Sequence, residues 1–203
     1  MRVGALVMCG GRSRRMGTSK AWLRFGEEYL LQRVVRVFRG TLEPVFVVSA
    51  PGQRLPRLPG NVGIIQDRVS DMGPLEALAA GLEAISDQAD AAFACGCDAP
   101  FLRPEFVRRL ARLAGEAEIT VPHEDGRLHP LAAVYRVSVL PQIQEMLDAG
   151  TLRLTTLSER CCCRRVPGSA LRDVDPELES LRNINTPEEY RDALSTAGIL
   201  CRD

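Results

Sequence analysis

Val3-Gly-Ala-Leu-Val-Met-Cys-Gly-Gly-Arg-Ser-Arg-Arg-Met-Gly-Thr-Ser-Lys20 begins as an apolar run, turns on two glycines and continues into arginines and a lysine. Val3 to Met8 shows no polar alternation, as expected of a strand covered on both faces. Gly10 and Gly11 carry no side chain where backbone N–H groups must come close to an anion. Arg12, Arg14, Arg15 and Lys20 supply positive charge for a polyphosphate. The stretch therefore predicts a buried strand feeding a phosphate-wrapping loop. The alternative is a strand-to-helix turn with a solvated basic surface. It is not a Walker A element, because no Gly-Lys-Ser/Thr follows at the required gap, and Gly-x-Gly-x-x-Gly is also absent.

Strand and helix patterns alternate along the rest of the chain. Leu30, Leu31, Val34, Val35, Val37 and Phe38 fit a helix opened by Glu27 and Glu28. Pro44 to Ser49 and Val62 to Ile65 read as strands around a Pro- and Gly-rich surface loop at 51–59. Pro74 opens a helix whose apolar positions are Leu75, Leu78, Ala79, Leu82 and Ile85. Ala91 to Cys95 is another buried strand, followed by a helix over Pro104 to Leu113. Ile119 to Val121 and Leu131 to Tyr135 read as strands, and Val137 to Leu147 as a helix with Pro141 in its first turn. A short helix over Thr151 to Ser158, a strand over Cys163 to Val166 and a helix over Pro187 to Leu194 complete the set, with Thr186 as cap. This order predicts an α/β fold with a mostly parallel sheet and helices on both faces. Residues 122–167 are a candidate for a lobe beside the main sheet. Ligands of such sheets bind outside the carboxyl ends of the strands, which places Cys9 to Lys20, Asp67 to Gly73 and Gly96 to Phe101 at one rim.

Composition narrows the function. The chain has 203 residues, enough for one domain with a sizeable core. Lys and Arg number 26, as do Asp and Glu, so the formal charge is zero and nothing global recruits nucleic acid or an acidic membrane. The amino-terminal segment lacks a secretion-signal pattern, and no stretch reaches the roughly 18 apolar residues of a membrane span. The expected location is the cytoplasm. The odd count of 7 cysteines argues for reduced thiols. Cys161-Cys162-Cys163 would chelate poorly, since adjacent strand residues face opposite ways, and Cys95-Gly-Cys97 lacks zinc spacing.

Carboxylates follow two of the strands. Asp98 comes directly after Phe93-Ala-Cys-Gly-Cys97, with Pro100 fixing the turn, so it projects over the rim where the phosphates would lie. One or two carboxylates plus phosphate oxygens is a common way to hold Mg²⁺. A cap or Asx-turn is the plain alternative. Asp67 ends Ile64-Ile65-Gln66; it could accept from a guanine N1–H and amino group, from a ribose hydroxyl, or serve as a turn acid. Asp71 reads as a helix cap before Gly73. Asn183 and Asn185 are two apart, so an extended segment points both amides one way. They could meet a metal-bound phosphate or satisfy backbone before the last helix. His129 follows the turn Glu124-Asp-Gly-Arg127 and reads as a surface or hydrogen-bonding residue, with a general-base role as the alternative.

Taken in order, these elements resemble the MobA family of molybdenum-cofactor guanylyltransferases. The resemblance rests on Met8-Cys-Gly-Gly-Arg-Ser-Arg-Arg-Met-Gly17 with Lys20, Asp67 with Gly73-Pro-Leu75, Cys97-Asp-Ala-Pro-Phe101, His129-Pro-Leu131 and Asn183-Ile-Asn-Thr-Pro-Glu188. It spans about residues 3–194. The first motif is shared by many nucleotidyltransferases, whereas the whole set is far more specific. The resemblance implies a three-layer, Rossmann-like nucleotidyltransferase domain over 1–203, with a nucleotide half at about 1–101 and an acceptor half at about 102–203. It also implies that Met8, Cys9, Gly10, Gly11, Lys20, Asp67 and Asp98 bind the nucleotide and that Asp98 holds Mg²⁺. Lys20, Asp98 and Arg15 would be the catalytic set, with Asn183, Asn185 and His129 near the acceptor or metal shell. Four departures stand out. Cys9 replaces an alanine, Ser19 stands where an aspartate is common, and Pro51 stands where an asparagine often helps hold the nucleotide. Glu76-Ala77 stands where Ala-Gly is common.

The implied reaction is nucleotidyl transfer. The terminal phosphate of a molybdenum-bound molybdopterin attacks the α-phosphate of GTP, and pyrophosphate leaves. No protein nucleophile is required; positioning and charge neutralisation suffice. A recipient molybdoenzyme or a cofactor-delivery protein would be a partner. The alternatives are a cytidylyltransferase on the same cofactor, a sugar-phosphate nucleotidyltransferase, and a nucleotide-binding delivery chaperone without turnover.

Overall fold

The structure, a computed structural model, describes residues 1–10, 19–67 and 73–199. Val3–Met8 forms β1. Arg24–Phe25 (β2) and Glu28–Tyr29 (β3) make a short antiparallel hairpin, and Leu30–Phe38 is α1. Val45–Ser49 is β4, Val62–Gln66 is β5, Gly73–Ile85 is α2 and Ala91–Gly96 is β6. Then come Pro104–Leu113 (α3), Ile119–Glu124 (β7), Arg127–Leu128 (β8), Ala132–Arg136 (β9), Leu140–Asp148 (α4), Leu154–Arg160 (α5), Cys163–Pro167 (β10) and Pro187–Thr196 (α6).

The main sheet runs β10-β7-β9-β6-β1-β4-β5, with β8 paired to β7. β1 pairs in parallel with β4 on one side and with β6 on the other, and β5 continues beyond β4. The chain thus winds outward from β1 to β5 and then returns to lay β6 on the opposite flank of β1. Ligands of doubly wound sheets lie at such a reversal, beyond the carboxyl ends of the strands. β9 runs antiparallel to both β6 and β7, so the sheet is mixed. Residues 122–167 do not stand off as a lobe: β7, β9 and β10 extend the same sheet.

Alternation along β1 divides the core. Ala5, Val7 and Cys9 face α1 and α3, packing with Leu31, Val34, Phe38, Phe106 and Leu110. Leu6 and Met8 face α2, α4 and α5, with Leu75, Leu78, Leu82, Ile143 and Leu157. A smaller core packs Leu23, Phe25 and Leu30 against Ile184, Ala193 and Leu194, which brings α6 back to the β2–β3 hairpin. Phe25 meets Phe101 edge to face at 5.9 Å between ring centroids.

A second sequence expectation is corrected. Glu27 and Glu28 do not open α1. Gly26, at φ 70°, turns the chain back on itself and puts Glu28 in β3. α1 starts at Leu30, where the Tyr29 N–H donates to Gln32 Oε1 at 3.0 Å. Pro141 falls at the start of α4 and Thr186 caps α6, as expected. Among the described residues, no helix is long and apolar enough to cross a membrane.

Candidate active site

Lys20 begins a single turn of 3-10 helix just before the hairpin, and Asp98 follows β6. Their side chains meet at the sheet reversal, with Lys20 Nζ donating to Asp98 Oδ2 at 2.6 Å. The same ammonium donates to Asn185 Oδ1 at 2.9 Å. Both partners of the ion pair are largely buried, at 18% and 13% side-chain exposure, so solvent screens it weakly.

Local structure explains how each group arrives. The Cys97 N–H donates to the Met8 carbonyl at 3.0 Å, holding the strand end beneath Asp98 against β1. The Asp98 carbonyl accepts from the Ile184 N–H at 2.9 Å, tying the last loop to the same point. Ile184 is buried in the small core, leaving its neighbour Asn185 exposed beside Lys20. Glu189, in the first turn of α6, accepts the Asn185 N–H at 2.5 Å and the Thr186 N–H at 3.2 Å. The cap of α6 therefore sets the backbone from which Asn185 reaches the lysine.

Asp98 Oδ1 is buried and has no hydrogen-bond partner. It lies over Gly96, where an added Cβ would sit 2.3 Å away, so a side chain at that position would displace this carboxylate. A buried orphan carboxylate oxygen fits a hard divalent cation that takes few protein ligands. No group of three or more His, Cys, Asp or Glu side chains among the described residues could hold a metal without outside ligands.

Asp67 lies across from this cluster at the end of β5, its N–H donating to the Ser49 carbonyl at 2.8 Å. A Cβ added at Gly10 would lie 3.2 Å from Asp67 Oδ2, so the carboxylate faces the close-approach glycine directly. Its Oδ1 is a second buried, unpartnered oxygen. Burial, with help from the charge of Glu76, pushes the Asp67 carboxyl up to about 6. Cys9 and Cys97 are both buried under the rim, and their mutual hydrogen bond, together with burial, holds the Cys97 thiol well above the usual range. Cys97 is therefore a packed thiol held in its protonated form.

Met8, Cys9, Gly10, Lys20, Asp67 and Asp98 thus border one rim, as expected. Asn185 joins them, whereas Asn183 is not bonded to Lys20 or Asp98. His129 stands at the same edge, ahead of β9, its N–H donating to the Pro122 carbonyl at 3.0 Å. Burial, together with the charge of Arg127, lowers its pKa, and it makes no bond to the lysine cluster. Gly11, Arg12, Arg14, Arg15 and Asp71 lie outside the described residues. Two residues near the site were not expected there, although Glu76 was noted as a departure from the family pattern. Glu76, 9% exposed at the start of α2, lies within electrostatic reach of Asp67. Gln53 was read only as part of a surface loop, yet it bonds to Cys9 and Ser19.

A lysine paired with an orphan carboxylate beyond the sheet reversal, together with a second acid facing a glycine at the end of β5, suits the handling of a nucleotide's phosphates, which is the chemistry of a nucleotidyltransferase. The model of the MobA-like NTP transferase domain matches residues 5–161, and the chain belongs to that family. A probable molybdenum cofactor guanylyltransferase of Mycobacterium avium is 37% identical over 196 residues, covering 94% of each chain. One from Mycobacterium tuberculosis is 36% identical over 189 residues, covering 91% of this chain and 89% of that protein. Among solved structures, molybdopterin-guanine dinucleotide biosynthesis protein A from Archaeoglobus fulgidus superposes with a TM-score of 0.79 at 23% identity, covering 98% of this chain and 99% of that one. The 2-C-methyl-D-erythritol 4-phosphate cytidylyltransferase of Thermus thermophilus shares the fold, with a TM-score of 0.71 at 19% identity over 98% and 100% of the two chains.

Proposed function

We propose that this chain transfers GMP from Mg-GTP to the terminal phosphate of molybdenum-bound molybdopterin, releasing pyrophosphate and a guanine dinucleotide cofactor. The observation that carries this is the shared ammonium: Lys20 Nζ bonds Asp98 and Asn185 at the reversal of the sheet. The names of relatives that match nearly the whole chain support guanine and molybdopterin as the substrates.

An acceptor phosphate oxygen bonds to the α-phosphorus as the bond to the pyrophosphate oxygen breaks. Lys20 neutralises charge that gathers on the phosphoryl oxygens. Asp98 Oδ1 would hold the divalent ion, which supplies further charge neutralisation when bound. Gly10 lets the nucleotide approach β1 without a side chain in the way. Asp67, once ionised, can accept both the N1–H and the amino group of guanine, a pairing that adenine and cytosine cannot reproduce. Asn185 holds the Lys20 ammonium beside Asp98, and Arg15 assists from the glycine-arginine segment. The location that fits these substrates is the cytoplasm.

A thermal-shift panel of GTP, CTP, ATP and UTP with Mg²⁺ tests the base, because a ligand that binds the folded state raises its apparent stability. GTP should give the largest shift, and pyrophosphate should appear only when molybdenum-bound molybdopterin is added. Stabilisation by CTP in place of GTP would refute the base assignment. Binding without pyrophosphate release would point to a delivery chaperone.

A further inference from the structure

Ala50-Pro-Gly-Gln53 is a tight turn, its Gln53 N–H donating to the Ala50 carbonyl at 3.1 Å. Pro51 and Gly52 fill the central positions, with Gly52 at φ 69°, as a type II turn requires. The turn folds the Gln53 side chain back over its own start. Its Oε1 accepts from the Ala50 N–H at 3.0 Å. Its amide nitrogen donates to the Cys9 carbonyl at 3.2 Å and to Ser19 Oγ at 3.3 Å, with Cys9 Sγ at 3.7 Å.

Cys9 and Ser19 flank the glycine-arginine segment on either side. Cys9 is the residue after β1, and its N–H is already fixed to the Val48 carbonyl at 2.7 Å. Ser19 immediately precedes Lys20, and its carbonyl accepts the Trp22 N–H at 3.0 Å. Among the described residues, Gln53 is the side chain that joins the two. Its amide nitrogen donates across the junction, while its oxygen accepts from its own loop. A half-buried amide satisfied in this way fixes orientation as well as distance.

We propose that Gln53 is a positioning residue for nucleotide capture. It sets the separation between the exit of β1 and the backbone that carries Lys20, so that the close-approach glycine and the ammonium engage one triphosphate. The inference rests on the nucleotide-transfer function proposed above but not on the identity of the base. Gln53 touches no reacting atom in this account; it acts through Cys9, Ser19 and Lys20. The Pro-Gly turn is the device that presents it. The departures at Cys9, Ser19 and Pro51 all lie in or against this junction.

Gln53→Ala and Gln53→Glu together test it. The glutamate keeps an oxygen for the Ala50 N–H but aims a second oxygen at the Cys9 carbonyl, where the amide donates. With the nucleotide that best stabilises the wild-type chain, both variants should raise KM about tenfold while kcat falls less than about threefold, the signature of lost ground-state binding. Hydrogen exchange at the Trp22 and Leu23 amides of the nucleotide-free chain should rise in both, with no change at β6. A Gln53→Glu variant matching wild type in KM and exchange would show that Gln53 merely shapes its own turn, overturning the inference. So would unchanged KM in both variants. Stabilisation of wild type by CTP alone would refute guanine, and the same KM and exchange criteria read with CTP would then support or overturn the role of Gln53. Failure of every nucleoside triphosphate to stabilise wild type would overturn both proposals.

Discussion

Replacing Asp67 with asparagine should stabilise the empty protein while weakening its hold on the nucleotide. Burial, then the charge of Glu76, raises the Asp67 carboxyl to about 6 in the folded chain. An unfolded aspartate titrates near about 3.9, so the shift is about two units, worth at most about 3 kcal/mol. The side chain is only half-buried, and solvent screening reduces that to on the order of 1 kcal/mol. The folded state binds the Asp67 proton more tightly than the unfolded chain does. Its contribution is therefore complete below about pH 4, declines as the pH rises, and is lost above about pH 6. Asparagine never ionises and has no such decline.

Thermal melts at intervals from pH 4.5 to 7.5 measure the difference directly. At pH 7 the variant should melt about 2–4 °C above wild type, the shift expected of on the order of 1 kcal/mol in a chain of this size. The gap should narrow steadily toward pH 4.5. Over the same range, Kd for GTP should be about ten- to a hundredfold weaker in the variant at pH 7, because the amide places an N–H against a guanine donor. Wild-type affinity should itself fall below pH 6, where the carboxyl gains its proton. A variant that melts lower than wild type at pH 7, or a gap that ignores pH, would refute the account of Asp67 as a strained, unpartnered acid kept for its ligand.

Three further outcomes follow from named contacts. If the ammonium acts on developing charge as proposed, Lys20→Ala should lower kcat by about a hundred- to a thousandfold while remaining folded; steady-state pyrophosphate release reads the rate and a melt reads the fold. Gly96→Ala places a methyl 2.3 Å from Asp98 Oδ1. Displacing the carboxylate should reduce turnover at least about tenfold, for a stability loss of about 1–3 kcal/mol by denaturant titration. Asp175 is fully buried and accepts the Glu179 and Ser180 N–H groups at 3.2 and 2.8 Å. Asp175→Ala should lower the melting temperature by about 10 °C, since it orphans both donors and strips Arg103 of a partner.

Much of the sheet could be read in advance because its signals are local. The unbroken apolar run of β1, the caps and the proline starts of the helices each lie within one window of sequence. The meeting of Lys20 with Asp98 was also legible, since both follow strands whose carboxyl ends must share a rim. The direction of β9 was not, because an apolar run is the same in either orientation and only the connection past β8 sets it. The β2–β3 hairpin was hidden by Glu27 and Glu28, which look like first-turn helix acids until Gly26 is seen to turn the chain. Asn185 could be singled out, but its bond to Lys20 spans 165 positions and depends on the small core that docks α6. Gln53 illustrates the same limit. Pro51-Gly52 announces a turn, yet nothing local says which distant carbonyl the next side chain will find.

The ion pair at the centre of the site also constrains how a nucleotide can enter. Lys20 and Asp98 are each largely buried, and a buried charge without a partner is strongly unfavourable. They satisfy each other, with Asn185 Oδ1 accepting a second ammonium N–H. A triphosphate carries the negative charge to replace Asp98 as partner of the ammonium, but this leaves the carboxylate unpaired. A divalent ion held by Asp98, as proposed above, would remove that cost, since Asp98 Oδ1 has no other partner. Triphosphate and metal should therefore bind with positive coupling, each weak without the other. Reciprocity requires the coupling to be equal in both directions, so titrating GTP at rising metal and metal at rising GTP must return the same factor. In Asp98→Asn the neutral amide needs no counter-ion. GTP affinity should then lose most of its metal dependence, even where metal-free binding is no weaker than in wild type.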